Sequence, residues 1–361
     1  AIQGPTTLGG STFGYFEFDF ARNLSGGESG AVNPNPRVRH AYMRWSFADV
    51  GKTGSFLNLT IGQTGGYLDL LPDTVDFATF TGGLGVAYRR NPRIGVVYGL
   101  PVGSAGRLVF GGGIERPILG GDNVDTDLGN GDVSQVPVVS AGVGYETTRR
   151  VGFGDSFGMA NLRFGVRVMR GRFVERFAKG TLDPDFNLQT DYDERTFSGG
   201  AVTGGFAIDR LGFNTEGRSH TLSIRGGGLW TSGDARFIDA GFDRRLVLRS
   251  DGSLESAHSA GGFVNPIFFL SENVSLRWAG GAQYALDPNL PVITASLNNG
   301  YFRTRNWQSE ASIWWTPGPF SFAIGYNFTH TNFRTIDPVT FATGDLANSN
   351  AKIEAISWFT F

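Results

Sequence analysis

Residues 351–361 read AKIEAISWFTF, and this stretch decides the fold class. One set of alternate positions is small or apolar and ends in aromatic rings: Ala351, Ile353, Ala355, Ser357, Phe359 and Phe361. The other set carries a charged pair, Lys352 and Glu354. Successive side chains of a β-strand point to opposite faces, and a strand of a membrane barrel has lipid on one face and water on the other. The stretch therefore predicts a membrane-spanning β-strand.

An aromatic residue, Phe361, stands at the end of this strand. It resembles the C-terminal phenylalanine that the assembly machinery of outer-membrane barrels recognises. The opening AIQGPTTLGG has no basic or long apolar segment, which predicts the mature form of an exported protein. The predicted fold class is all-β: a transmembrane antiparallel β-barrel in an outer membrane.

The composition agrees with a barrel and excludes several other classes. Only 18% of the 361 residues are charged, against about 25% in soluble domains. No run of about 18 apolar residues is present, so a transmembrane helix is not expected. The net charge of −2 and the lack of basic runs exclude nucleic acid as an expected partner. The chain has no cysteine, which excludes disulfides and thiolate metal sites.

Alternating segments recur along the whole chain and predict 14 strands, an even number as in single-chain bacterial barrels. A missed N-terminal hairpin would raise the number to 16. Residues 1–11 are expected to form a short periplasmic segment, and residues 12–361 a single barrel domain. The predicted strands are residues 12–20, 37–48, 54–63, 83–99, 105–115, 134–149, 157–173, 195–210, 218–231, 254–270, 274–286, 302–316, 319–333 and 351–361.

The connections between these segments alternate in length, which is typical of outer-membrane barrels with short periplasmic turns and long outer loops. A soluble β-sandwich is the alternative, but it would show turn signals about every 8–12 residues without this alternation. The short turns are residues 49–53, 101–105, 150–156, 271–273 and 317–318. The longer connections are residues 23–36, 64–82, 116–133, 174–194, 231–253, 287–301 and 334–350.

Residues 37–99 carry a more specific pattern. They contain RVRHAYMRWSF at 37–47, a GQT element at 62–64, a Leu-Pro-Asp element at 71–73 and VAYRRNPRIGV at 86–96. In these elements the chain resembles the trimeric diffusion porins of Gram-negative outer membranes, and within them the DcaP-like group associated with dicarboxylate uptake. The resemblance implies a barrel of 16 strands, where the segmentation gives 14.

The resemblance also implies a function and partners. It implies a passive channel for small hydrophilic solutes, assembled as a homotrimer and surrounded by outer-membrane lipids and lipopolysaccharide. The loop of residues 64–82 would fold inward and narrow the pore. Arg39 and Arg89 would lie on the basic wall, and Asp69, Asp73 and Asp76 on the loop. Carboxylates that face arginines across a pore sort ions by charge. Asp73 and Asp76 could instead cap local turns.

Alternation places further charged residues on the predicted water-filled side. In residues 161–169, NLRFGVRVM, Arg163 and Arg167 oppose an apolar set. The same pattern predicts Arg225 and Arg277 on the inner wall, together with the acid Glu17. This larger basic set predicts a mild preference for anions or small carboxylates. Charges that merely pair across strands would give no selectivity.

Other chemistry is not expected. The histidines have no metal-ligand spacing and no nucleophile elbow is present, so we predict no metal, no cofactor and no enzyme activity. A long-chain lipid transporter would need an N-terminal plug of about 40 residues, and the first predicted strand begins at residue 12. The main alternative is a structural or surface-binding barrel with a plugged pore, which conductance would distinguish.

Overall fold

The structure is a computed structural model, and in the residues that it describes all regular secondary structure is β-strand. It describes residues 2–6, 9–21, 35–51, 53–64, 91–115, 137–154, 156–178, 192–233, 246–248, 254–288, 292–293, 301–336 and 343–359. Within these ranges no helix is long and apolar enough to cross a membrane.

The strands are numbered in chain order. The first ten are β1 (Ile2–Gln3), β2 (Ser11–Ala21), β3 (Asn35–Val50), β4 (Ser55–Thr64), β5 (Asn91–Val102), β6 (Gly106–Glu115), β7 (Val138–Thr147), β8 (Val151–Gly152), β9 (Met159–Ala178) and β10 (Tyr192–Gly212). The others are β11 (Thr221–Ser232), β12 (Leu246–Leu248), β13 (Leu254–Ser256), β14 (His258–Phe269), β15 (Val274–Ala285), β16 (Val292–Ile293), β17 (Tyr301–Trp315), β18 (Phe320–Ile336) and β19 (Thr343–Phe359).

Sixteen of these strands form one antiparallel sheet. Its path runs β1-β2-β3-β4-β5-β6-β7-β9-β10-β11-β14-β15-β17-β18-β19, with β8 paired to β9. Fourteen strands have ten residues or more, and they correspond to the 14 predicted segments. The two additional strands, β1 and β8, have two residues each. Strand β1 lies within the predicted N-terminal segment, residues 1–11, and pairs with β2. The path gives no ladder between β1 and β19 within the described ranges.

Several strand boundaries differ from the sequence expectation. The predicted strand 254–270 is divided at Ala257 into β13 and β14. Strands β9 and β10 are longer than predicted, because the hydrogen-bonded ladder between them continues to Tyr192 and Ala178. The last strand begins at Thr343 rather than at residue 351. The extension of β19 is mostly polar, and in the extension of β9 and β10 apolar and charged residues share each face, so the alternation on which the prediction was based does not reach either of them.

A second, three-stranded sheet joins two of the long connections. Strand β12 pairs with β13 from the same connection and with β16 from the connection between β15 and β17. Val247 of β12 is fully buried. In the antiparallel order of the sheet, the strand ends that lead into the long connections share one end, here called the loop end, and those joined by the short turns share the other, the turn end.

The two faces of the large sheet differ in chemistry and in burial. On the outer face, apolar side chains such as Val166, Val168 and Ile324 are about half exposed. On the inner face, polar side chains such as Thr203, Asn265 and Asn327 are buried. The polar face is buried on strands all along the path. The sheet therefore curves so that this face lies on the inside. The sheet is therefore the wall of a barrel with a lipid-facing exterior.

Candidate functional site: the inner wall

A row of charged residues crosses the inner wall toward the turn end. Arg107 of β6 pairs in register with Glu146 of β7, and Glu146 pairs with Arg163 of β9. Beyond Arg163 the row continues through Ala207 of β10 to Arg225 of β11. The period-two alternation of each strand directs these positions to the same face.

Three members of this row form one ionic cluster, here called the turn-side cluster: Arg107, Glu146 and Arg163. Arg107 Nε donates to Glu146 Oε1 at 2.9 Å, and Arg163 Nε lies 3.5 Å from Glu146 Oε2. The cluster therefore contains two cations and one anion. The Arg163 side chain is 46% exposed and Glu146 only 19%, so the accessible charge of the cluster is positive.

Arg107 is held in place by an aromatic ring. Its guanidinium carbon lies 4.5 Å from the centroid of the Phe56 ring, which is cation–π distance. That ring occupies the space beside Gly99, where an added Cβ would lie only 1.9 Å from Phe56 Cε1. A glycine is needed at this position because any side chain would displace the ring beneath Arg107.

A second ionic pair, here called the loop-side pair, lies on the same strands nearer the loop end. Arg167 Nη2 donates to Glu115 Oε1 at 3.2 Å, and both side chains are almost completely buried, at 0% and 2% exposure. Ser140 of the intervening strand β7 donates a longer hydrogen bond, 3.5 Å, to the same carboxylate oxygen. The residue opposite Arg167 on β7 is Gly142, which leaves room for the arginine to reach across to β6.

A row of glycines separates these two ionic groups. Gly144, Gly165, Gly205 and Gly227 are direct partners on β7, β9, β10 and β11. Gly144 and Gly165 are buried, and the Phe263 ring lies 3.0 Å from where a Cβ of Gly227 would be. These four positions carry no side chain, so no side chain of the row itself links the turn-side cluster to the loop-side pair on β7, β9, β10 and β11.

Other inner-wall charges have their own partners. Arg225 Nε lies 3.6 Å from Asp209 Oδ1. The Arg277 guanidinium carbon lies 3.7 Å from the centroid of the buried Trp314 ring, and its Nε donates to Ser275 Oγ at 3.1 Å. Glu17 accepts a 2.9 Å hydrogen bond from the hydroxyl of Tyr15.

The predicted site residues thus fall into three groups. Arg163 and Arg225 lie in one row, Arg167 lies on the other side of the glycine row, and Arg277 and Glu17 lie on more distant strands. Arg39 is the unpaired residue at a β-bulge, because Glu17 pairs with His40 and Phe18 with Val38. Arg89, Asp69, Asp73 and Asp76, with most of the predicted loop 64–82, lie outside the described residues.

The sequence reasoning missed the partners of these arginines. Arg107, Glu146 and Glu115 were not selected, although all three lie within predicted strands. Alternation alone would have placed Arg107 and Glu146 on the inner face. Their contact depends on the register between β6 and β7, for which the sequence has no separate signal.

No group of three or more histidine, aspartate or glutamate side chains that could hold a metal ion occurs in the described ranges. The groups that the wall offers to a solute are guanidinium donors, a carboxylate and hydroxyls. Such groups bind ions and polar molecules reversibly, without covalent chemistry.

The chain is similar in fold to several solved outer-membrane proteins. It matches the outer membrane channel DcaP of Acinetobacter baumannii with a TM-score of 0.58 and 16% identity, over 99% of this chain and 83% of that one. It matches OprB of Pseudomonas putida with a TM-score of 0.44 and 10% identity, over 90% and 74% of the two chains. OmpT of Vibrio cholerae, an outer membrane protein, matches with a TM-score of 0.43 and 9% identity, over 98% and 99%.

The fold is that of an outer-membrane β-barrel. The likeness to DcaP carries this conclusion together with the 16-stranded antiparallel sheet and its exposed apolar exterior. No family model and no curated protein sequence matches the chain.

Proposed function

We propose that this protein is a passive diffusion channel of a Gram-negative outer membrane for small hydrophilic solutes, with a mild preference for anions and small carboxylates. The observation that carries the proposal is the turn-side cluster, in which Arg107 and Arg163 share one carboxylate, that of Glu146. Similarity in fold to the channel DcaP supports the proposal.

The arrangement suits transient binding of an anion. Arg163 contacts Glu146 at 3.5 Å and its side chain is 46% exposed, so the guanidinium stays accessible on the inner face. A planar guanidinium matches the geometry of a carboxylate. Conduction requires a site that attracts the solute but releases it again, and an arginine that keeps a carboxylate partner binds a second anion only weakly.

The proposed constriction remains the loop of residues 64–82, with Asp69, Asp73 and Asp76 facing Arg39 and Arg89. These acids would oppose the basic row on β6–β11 and create a transverse field. Removal of residues 68–79 is expected to raise the single-channel conductance. Unchanged conductance would place this loop outside the pore.

Arg163 allows a sharp test, because the same strand carries an arginine on the opposite face. We expect Arg163→Glu to shift the reversal potential in a salt gradient toward cation selectivity, since it reverses the accessible charge of the cluster. Arg172→Glu is the matched control: Arg172 is an exposed outer-face residue of β9 and should leave the reversal potential unchanged. Equal reversal potentials in the wild type and in Arg163→Glu would contradict the proposal.

We also propose a homotrimer, on the resemblance of residues 37–99 to trimeric porins. Conductance steps that occur in threes and a threefold mass in detergent would support it. A monomeric mass with single steps would contradict it, without affecting the channel proposal.

A second candidate is a barrel with an obstructed pore and a structural or surface-binding role. The observation in its favour is the complete burial of Arg167 and Glu115, since side chains on the wall of an open, water-filled lumen would be exposed. No conductance from protein shown to be folded and inserted would favour this candidate over the channel.

A further inference from the structure

The outer face of β9 changes character abruptly along its length. Its outward side chains from Leu162 to Val168 are all apolar, and they are followed by Arg170 and Arg172, both exposed. The apolar part spans about 20 Å along the strand, or about 15 Å across the membrane at the usual tilt of barrel strands, and the outer face is charged beyond it. The two arginines therefore lie at the border between the lipid chains and the headgroups, on the loop-end side.

Neither arginine is neutralised by its surroundings in the described residues. Arg170 is flanked in register by Val139 on β7 and by Gly200 on β10, and Arg172 by Ser198 on β10. No carboxylate of the described side chains contacts either guanidinium.

The neighbouring strands leave room for a headgroup. Gly200 has no side chain, and Ser198 is exposed and supplies a hydroxyl. At the same height on the next strands, Trp230 packs against His258 with ring centroids 5.6 Å apart. Aromatic rings of this kind lie at the interface between lipid chains and headgroups.

We propose that Arg170 and Arg172 form a binding site for the phosphorylated sugar headgroup of lipid A in the outer leaflet. The two Cα atoms are about 7 Å apart along the strand, so both guanidinium groups can reach one phosphate or two adjacent anionic groups. Arginine binds phosphate through paired N–H donors, and the acyl chains of the same lipid would lie against the apolar stripe below. This site lies on the outer face and does not rest on the proposed channel function.

The test is a titration of the purified protein with bisphosphorylated lipid A, followed by native mass spectrometry. We expect the double variant R170Q/R172Q to bind lipid A about twentyfold more weakly than the wild type. The matched control, R305Q/R334Q, removes two arginines from the same rim but on β17 and β18. There Arg305 lies over the Tyr284 ring and Arg334 is paired with Asp345, so this control should bind like the wild type.

A second arm uses only the wild-type protein, so it does not depend on the folding of a variant. Enzymatically dephosphorylated lipid A should bind as weakly to the wild type as bisphosphorylated lipid A binds to R170Q/R172Q. Three results would overturn the proposal: unchanged affinity in R170Q/R172Q, equal losses in both double variants, or no effect of dephosphorylation.

Discussion

The turn-side cluster and the loop-side pair use the same strands and the same residue types, yet their surroundings differ. Glu115 and Arg167 are fully buried, whereas the Arg163 side chain is 46% exposed. The charges of a buried pair cannot respond to a solute, because an arginine that left the pair would leave its carboxylate buried without solvation. Charge in a half-exposed cluster can act on a solute. Burial, rather than residue type, therefore separates the arginine held in a closed pair from the arginine that is proposed to meet a solute on this wall.

The largest effect is expected at the buried pair. Arg167→Ala would remove the guanidinium that lies 3.2 Å from the buried Glu115 carboxylate, and it should lower the free energy of unfolding by about 3–5 kcal/mol. Urea unfolding of the protein in lipid vesicles measures this difference. The double variant E115M/R167M replaces both charges and should be close to the wild type. A single variant as stable as the wild type would show that the pair is not buried inside the folded barrel.

The next effect is expected at the cluster. Glu146→Gln removes the carboxylate that Arg107 and Arg163 share, and it should increase anion selectivity while lowering stability by less than about 1 kcal/mol, since the group is partly exposed. The reversal potential in a salt gradient measures the selectivity. A shift toward cations would rule out the assignment of this cluster to the pore.

The smallest effect is expected at the turn end. The Glu272 carboxylate accepts hydrogen bonds from the backbone N–H groups of Ser219, at 2.7 Å, and Arg218, at 2.9 Å, and these bonds lower its pKa. A carboxyl whose pKa is lower in the folded state stabilises the fold above its unfolded pKa, about 4.3 for glutamate. That stabilisation is lost as the pH falls through the lower folded value.

The variant Glu272→Gln tests whether the lowered pKa of Glu272 contributes to the pH dependence of stability. The wild type should lose slightly more stability than the variant between neutral pH and about pH 3. Thermal unfolding followed by circular dichroism at several pH values gives the comparison. Parallel curves for the two proteins would mean that the hydrogen bonds to Glu272 contribute nothing to the pH dependence.

Much of the barrel could be predicted from the sequence, because the alternation of apolar and polar residues is a local signal. The 14 long strands and the inner faces of β9 and β15 followed from it directly. Strands β1 and β8 could not be predicted, since two residues are too few to show a period. The paired extension of β9 and β10 toward the loop end has no apolar face and so gave no signal.

The candidate site could be predicted only in part. Alternation assigns Arg163 and Arg167 to the same face but does not distinguish the exposed residue from the buried one. That distinction depends on Glu146 and Glu115, which are brought near by the register of three strands. Register is a property of pairs of strands, and a single sequence contains little information about it.

The sharing of Glu146 between two arginines has a further consequence for passage through the barrel. In the proposed channel, a solute anion that took the place of Glu146 on Arg163 would leave the carboxylate bonded to Arg107, which the Phe56 ring holds in position. The event is then a ligand exchange in which no charge is without a partner at any moment. Exchanges of this kind have low barriers, so the dwell time of an anion at Arg163 would be short and the flux high even though the site attracts it.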